Sequence, residues 1–157
     1  MILAVFLGND VMGDDGVAFH LMKRLSDKMP DYVRSVYLHT DILRLLHAYR
    51  GEEKIVFIDA VRGRNYPCGS VNVIPMHKID SLSAPMKHAH LIGVIDSIRL
   101  LEKSEPFLAE AVKVFFLIGV DEKNVKPSLS LSPCLERTMP HIGENLLSLF
   151  EKMHYSC

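Results

Sequence analysis

The chain has 157 residues, 48% of them hydrophobic and 24% charged, with a formal net charge of −1. That length suits one domain over 1–157 with a substantial core. The near-neutral balance excludes the basic footprint of a nucleic-acid or anionic-membrane binder. Cys68, Cys134 and Cys157 are odd in number and far apart, with no CxxC. They fit a reducing cytoplasm and provide neither a zinc ribbon nor a disulfide framework. The opening "MILAVFLGND" lacks a positive n-region and a cleavage site, so it does not read as a signal peptide. Runs such as "VFFLIGV" (114–120) are too short to span a bilayer, and the cytoplasm is the expected compartment, with no membrane partner.

Along the chain, "ILAVFLG" (2–8) is a continuous apolar run, as expected for a central strand covered on both faces. Residues 15–29 read as a helix, with Val17, Ala18, Leu21, Met22, Leu25 and Met29 on one face. "YVRSVYLH" (32–39) reads as a second strand, and "DILRLLHAYR" (41–50) as a helix opened by Asp41. "KIVFIDAV" (54–61) is a third strand, "GSVNVIPM" (69–76) a fourth and "VKVFFLIGV" (112–120) a fifth, with a helix over 89–103 between the last two. Leu135, Met139, Ile142, Leu146, Leu149 and Met153 form a final helical stripe, which Pro140 should kink. The alternation predicts a three-layer α/β/α domain. Only about eight residues separate strands 3 and 4, fewer than a parallel crossover needs, so strand 4 should run antiparallel in a mixed sheet.

Ligands in open α/β sheets gather beyond the C-terminal strand ends, where the strand order reverses. The turn "GNDVMGDDGVA" (8–18) leaves the first strand there, and Asp59 ends the third. Glycines in a strand-to-helix turn usually cradle phosphate, but three aspartates would repel it. Read alone, Asp14 and Asp15 are helix-capping residues worth about 1 kcal/mol, with Asp14 the better cap and Asp15 the better ligand. Asp59 alone would cap a loop or pair with Arg62 or Arg64. Together with His88 or His90, in "MKHAHLIGVIDSI" (86–98), they form an Asp/Asp/His donor set suited to zinc, nickel or manganese. Three protein ligands leave positions open for substrate or water. There is no HExxH and no GxSxG around the serines. Cys68 reads as structural; His77, His141 and His154 read as solvated.

These residues resemble the hydrogenase maturation proteases, endopeptidases that trim the C-terminal extension of the nickel–iron hydrogenase large subunit. The resemblance runs through "GNDVMGDDGVA", "VFIDAV" (56–61), "PCGSVNV" (67–73), "HAHLIGVIDSI" (88–98), "LIGV" (117–120) and "LSLSPCLERTMP" (129–140), nearly the whole chain. It implies a phosphorylase/hydrolase-like α/β fold, five strands in the order 2-1-3-5-4, strand 4 antiparallel. It also implies that Asp15, Asp59 and His90 are the metal-contacting and catalytic residues. The divalent metal would be nickel already loaded in the precursor, so that the hydrogenase large-subunit precursor is the expected partner. The family's glycine-rich "GGT" after strand 2 is replaced by "LHTDILRLL" (38–46), where His39 and Asp41 stand in place of glycines. A β-carbon there restricts backbone conformations that glycine permits, and His39 offers a further metal contact. The alternative reading is a diverged, non-cleaving member that binds the precursor or a metal centre. A nucleotide-binding domain ranks last, since the turn lacks GxGxxG and a P-loop lysine.

Overall fold

The computed structural model describes residues 1–81 and 89–156, with the side chains of residues 80, 81, 89 and 90 outside that description. Five strands form one sheet: β1 (Ile2–Phe6), β2 (Val33–Tyr37), β3 (Lys54–Val61), β4 (Val71–Pro75) and β5 (Val112–Gly119). Their order is β2-β1-β3-β5-β4, and only β4 runs antiparallel, against β5. The short β3–β4 connection therefore has the consequence expected of it. Strand alternation splits the core into two layers. Ala4, Phe6, Val56 and Ile58 pack on one face, under α1 (Val17–Leu25) and α5 (Pro133–Tyr155). Leu3, Val5, Ile55 and Phe57 pack on the other, under α3 (Ala89–Ser104). Every β1 side chain is buried, which is why its sequence shows no polar alternation.

Local chemistry sets the helix ends. Ser132 caps α5 by accepting the Leu135 N–H, and Pro133 occupies the first turn, where a missing donor costs nothing. The helix continues through Pro140, which lies on its exposed side. The helix predicted over 41–50 is shorter than expected. Asp41 does open it, accepting the Leu43 N–H at 3.2 Å, but a 3-10 turn over Ile42–Arg44 leads only into α2 (Leu45–Ala48). Beyond Ala48 other partners take the backbone: Arg34 Nη2 donates to the Ala48 carbonyl at 2.6 Å, and the Arg50 N–H donates to Glu52 Oε2 at 2.8 Å. A further short helix, α4 (Pro106–Glu110), is capped by Glu105 and was not anticipated from periodicity.

Glu52 makes stability acid-sensitive. Burial works against its carboxylate, but the backbone N–H donors and the Arg34 guanidinium outweigh that and hold its pKa below the usual glutamate value. A depressed carboxylate contributes stability that is present above the unfolded-state pKa and lost as pH falls through the folded one. Urea midpoints should therefore drop between pH 6 and pH 3, and Glu52→Gln should shrink that drop. An unchanged pH dependence in the variant would show that this carboxylate is not the titrating group.

Candidate active site

The parallel ladder does not stop with the strands. Leu7 N–H donates to the Ile58 carbonyl at 2.9 Å, Leu38 N–H to Phe6 at 3.0 Å, and Gly8 N–H to His39 at 2.8 Å. Gly8 thus leaves the sheet between the exits of β2 and β3, with φ +137. Its α-hydrogen side faces the backbone of Asp15 and the side chain of Asp59. A Cβ placed there would lie 2.3 Å from the Asp15 carbonyl oxygen and 4.0 Å from Asp59 Oδ1. Asp15 Oδ2 accepts the Asn9 N–H at 3.1 Å, which folds the turn back onto the strand end. Asp59 is 2% exposed at the end of β3, and its Oδ1 accepts the Ala60 N–H at 2.8 Å. The structure so brings Asp15 and Asp59 to one glycine, at the switch point between β1 and β3.

Asp14 behaves differently from its predicted role. It caps neither the 3-10 turn over Gly13–Gly16 nor α1. It is fully buried and accepts the Ser132 N–H and hydroxyl, each at 2.7 Å. The acid therefore rivets the turn to the start of α5, 118 residues later. Asp14→Ala would strand these donors in a half-buried place and should cost about 2–3 kcal/mol by urea unfolding. Asp14→Asn, which keeps one acceptor oxygen, should cost less than half as much. Equal losses for the two would contradict this account.

The segment after β2 holds the other side of the glycine. The Tyr37 hydroxyl lies 2.9 Å from the Gly8 carbonyl and 3.0 Å from Asp10 Oδ1, both acceptors. Burial, and next the hydrogen bond to Asp10, push the Tyr37 hydroxyl far above the usual tyrosine pKa, so it stays a donor at any working pH. His39 adopts φ +56, the left-handed conformation a glycine would favour, despite its β-carbon. The expected backbone restriction is thus overridden. The His39 carbonyl is tied to Gly8, its ring lies 4.2 Å from that of Tyr37, and Nδ1 is 3.7 Å from Asp10 Oδ1. Sequence reasoning singled out neither Asp10 nor Tyr37. The available signal was a tyrosine ending a strand beside a third aspartate.

His90 lies in the opening turn of α3 and its side chain, like all of His88, lies outside the described residues. The backbone still places that turn. Glu102, near the end of α3, pairs with Lys113 at the start of β5 at 3.0 Å. Twelve helical residues back from Glu102 is about 18 Å, and six strand residues forward from Lys113 is about 20 Å. The start of α3 therefore stands level with the C-terminal strand ends. Among the described residues no three His, Cys, Asp or Glu side chains gather to hold a metal ion. His77, His141 and His154 are exposed, His154 stacking on Tyr32.

One expectation is corrected outright. Cys68 and Cys134 form a disulfide, with Cα atoms 6.5 Å apart, so two of the three cysteines are paired. Their separation of 66 residues hid this, because only the fold brings the β3–β4 loop to the start of α5. No helix among the described residues is long and apolar enough to cross a membrane.

A family model described as hydrogenase maturation protease matches residues 17–149. The chain belongs to that family. Members of the hydrogenase maturation protease family are endopeptidases, hydrolases of a peptide bond. The chain is 32% identical over 144 residues to Protein FrxA from Pyrococcus furiosus, covering 90% of this chain and 98% of that protein. It is 22% identical to the Hydrogenase 2 maturation protease of Escherichia coli, covering 94% of this chain and 88% of the relative. The [NiFe] hydrogenase maturation protease HybD from Thermococcus kodakarensis superposes with a TM-score of 0.82 at 30% identity, covering 94% of this chain and 97% of the other. The strand order and the antiparallel β4 are those of this maturation-protease fold.

Proposed function

We propose that this chain removes the C-terminal extension from the large-subunit precursor of a nickel–iron hydrogenase and recognises the nickel which that precursor carries. The observation that carries the proposal is the pair Asp15 and Asp59, brought to Gly8 at the mouth of the β1–β3 crevice. A strand-ending carboxylate that is 2% exposed costs free energy to desolvate, and a working role at the crevice accounts for its being there. The donor chemistry suits the ion: two carboxylates, with the imidazole of His90 as third donor, match a borderline cation such as nickel. The substrate's nickel, held by Asp15, Asp59 and His90, would fix the scissile bond beside these acids, gaining mainly from positioning. A carboxylate of the pair would then take a proton from the attacking water and hand it to the leaving nitrogen as the peptide C–N bond breaks, so that the new carboxyl and amine ends separate. The protein's compartment in this reading is the cytoplasm.

Incubating the chain with nickel-loaded precursor should shorten the precursor by the mass of its C-terminal peptide. Nickel-free precursor should stay intact. No shortening, with a competent protease working alongside, would sink the reading. Tight capture of precursor without cleavage would instead favour the non-cleaving alternative. The conformation of His39 argues for cleavage, because the loop keeps the backbone geometry that its missing glycines would have provided.

A further inference from the structure

We propose that the Cys68–Cys134 pair is a thiol–disulfide exchange site that sets the rigidity of the Asp14–Asp15 turn. Two ends held by different contacts meet at this bond. The Cys68 end is anchored independently of it: Gly69 N–H donates to the Gly119 carbonyl at 2.9 Å, and Gly119 N–H donates to Ser70 at 2.8 Å. The loop is therefore part of the sheet edge whether or not the sulfurs are joined. The Cys134 end is the first turn of α5, next to Ser132, whose N–H and hydroxyl hold the buried Asp14. The disulfide thus ties a fixed strand end to the element that holds the acidic turn. Opening it leaves the 66–70 loop in place and removes one tie on the start of α5, which then rests on the Asp14–Ser132 bonds and the buried Leu131 and Leu135, so that the turn loosens with it.

The two sulfurs also differ in chemistry. A cavity of about 410 Å³ opens onto Cys68, with Arg64 and Tyr66 on its wall. It gives an incoming thiol a route to that residue between the Arg64 guanidinium and the carboxylates of Asp121 and Glu122. Cys134 sits at the second residue of a 23-residue helix, at the positive end of its dipole, which favours a thiolate. A sulfur stabilised as thiolate is the better leaving group in exchange. The reductant is a dithiol. Its thiolate attacks the Cys68 sulfur, a mixed disulfide forms there, and Cys134 departs as thiolate and takes up a proton. The second thiol of the reductant then displaces Cys68. Overall two electrons and two protons pass from the dithiol to the pair, and the dithiol leaves as its own disulfide.

Neither the thiol exchange nor the loosening of the turn involves the substrate, and both are read without a cleavage assay. A Cys157→Ser background leaves only the pair to follow. In that chain, alkylation should find no free thiol before reduction and two after dithiothreitol. Glutathione followed by alkylation should place the glutathione adduct on Cys68 and the alkyl group on Cys134. Hydrogen exchange should speed up about tenfold at residues 13–16 and 131–136 on reduction, with 69 and 119 unchanged, and return on reoxidation. The Cys68→Ser and Cys134→Ser variants should resemble the reduced chain. Two alkylated thiols in the unreduced chain, an adduct on Cys134, or unchanged exchange at 13–16 would each overturn the proposal.

Discussion

Asp59→Asn should lower the rate of precursor cleavage by at least about a hundredfold, the scale expected when a proton-transfer or charge-positioning group is removed. The substitution is chosen to spare the fold. Asparagine keeps an oxygen for the Ala60 N–H that Asp59 Oδ1 accepts at 2.8 Å, and it has the same shape. What it removes is one negative charge at the end of β3. Stability by urea unfolding should stay within about 1 kcal/mol of the parent chain. A single-turnover assay followed by mass spectrometry measures the rate. Undiminished cleavage would take Asp59 out of the chemistry and leave Asp15 without its partner.

Gly8→Ala should be the most damaging change of one methyl group anywhere in the crevice. At φ +137 an alanine is strained before any contact is counted, and its Cβ would meet the Asp15 carbonyl oxygen at 2.3 Å. The clash is with backbone, so no side-chain rotation relieves it. The expected cost is about 3 kcal/mol in urea unfolding, with cleavage lost because Asp15 is displaced from Asp59. Gly51→Ala is the control: φ is +90, but nothing lies within 4 Å of the added carbon. It should cost about 1 kcal/mol from backbone strain alone and leave cleavage unchanged. Equal effects at the two glycines would mean that the contact with Asp15 is not what constrains Gly8.

The sheet was readable from residues because its evidence is local. The runs 2–8, 54–61 and 112–120 carry their burial in largely apolar sequence, and the short loop after Val61 dictated the reversal of β4. The acidic turn and Asp59 were readable because polar groups at buried strand ends are conspicuous. What escaped was non-local. Asp14 looked like a cap for the helix it precedes, and its partner is Ser132, on the far side of the chain. Cys68 and Cys134 looked solitary for the same reason. The early end of α2 depends on Arg34 and Glu52, which no helix periodicity registers.

The amides around the two acids carry one more consequence. Those of Gly8, Asn9 and Ala60 adjoin the pair, and each is already spent: on the His39 carbonyl, on Asp15 Oδ2 and on Asp59 Oδ1. Peptide hydrolysis builds negative charge on the scissile carbonyl oxygen, and many hydrolases meet it with free backbone N–H groups forming an oxyanion hole. These three amides cannot serve that purpose without breaking the bonds that place the acids. They therefore leave the oxyanion to another donor, and under the proposed function that is a second service for the precursor's nickel, alongside marking where to cut.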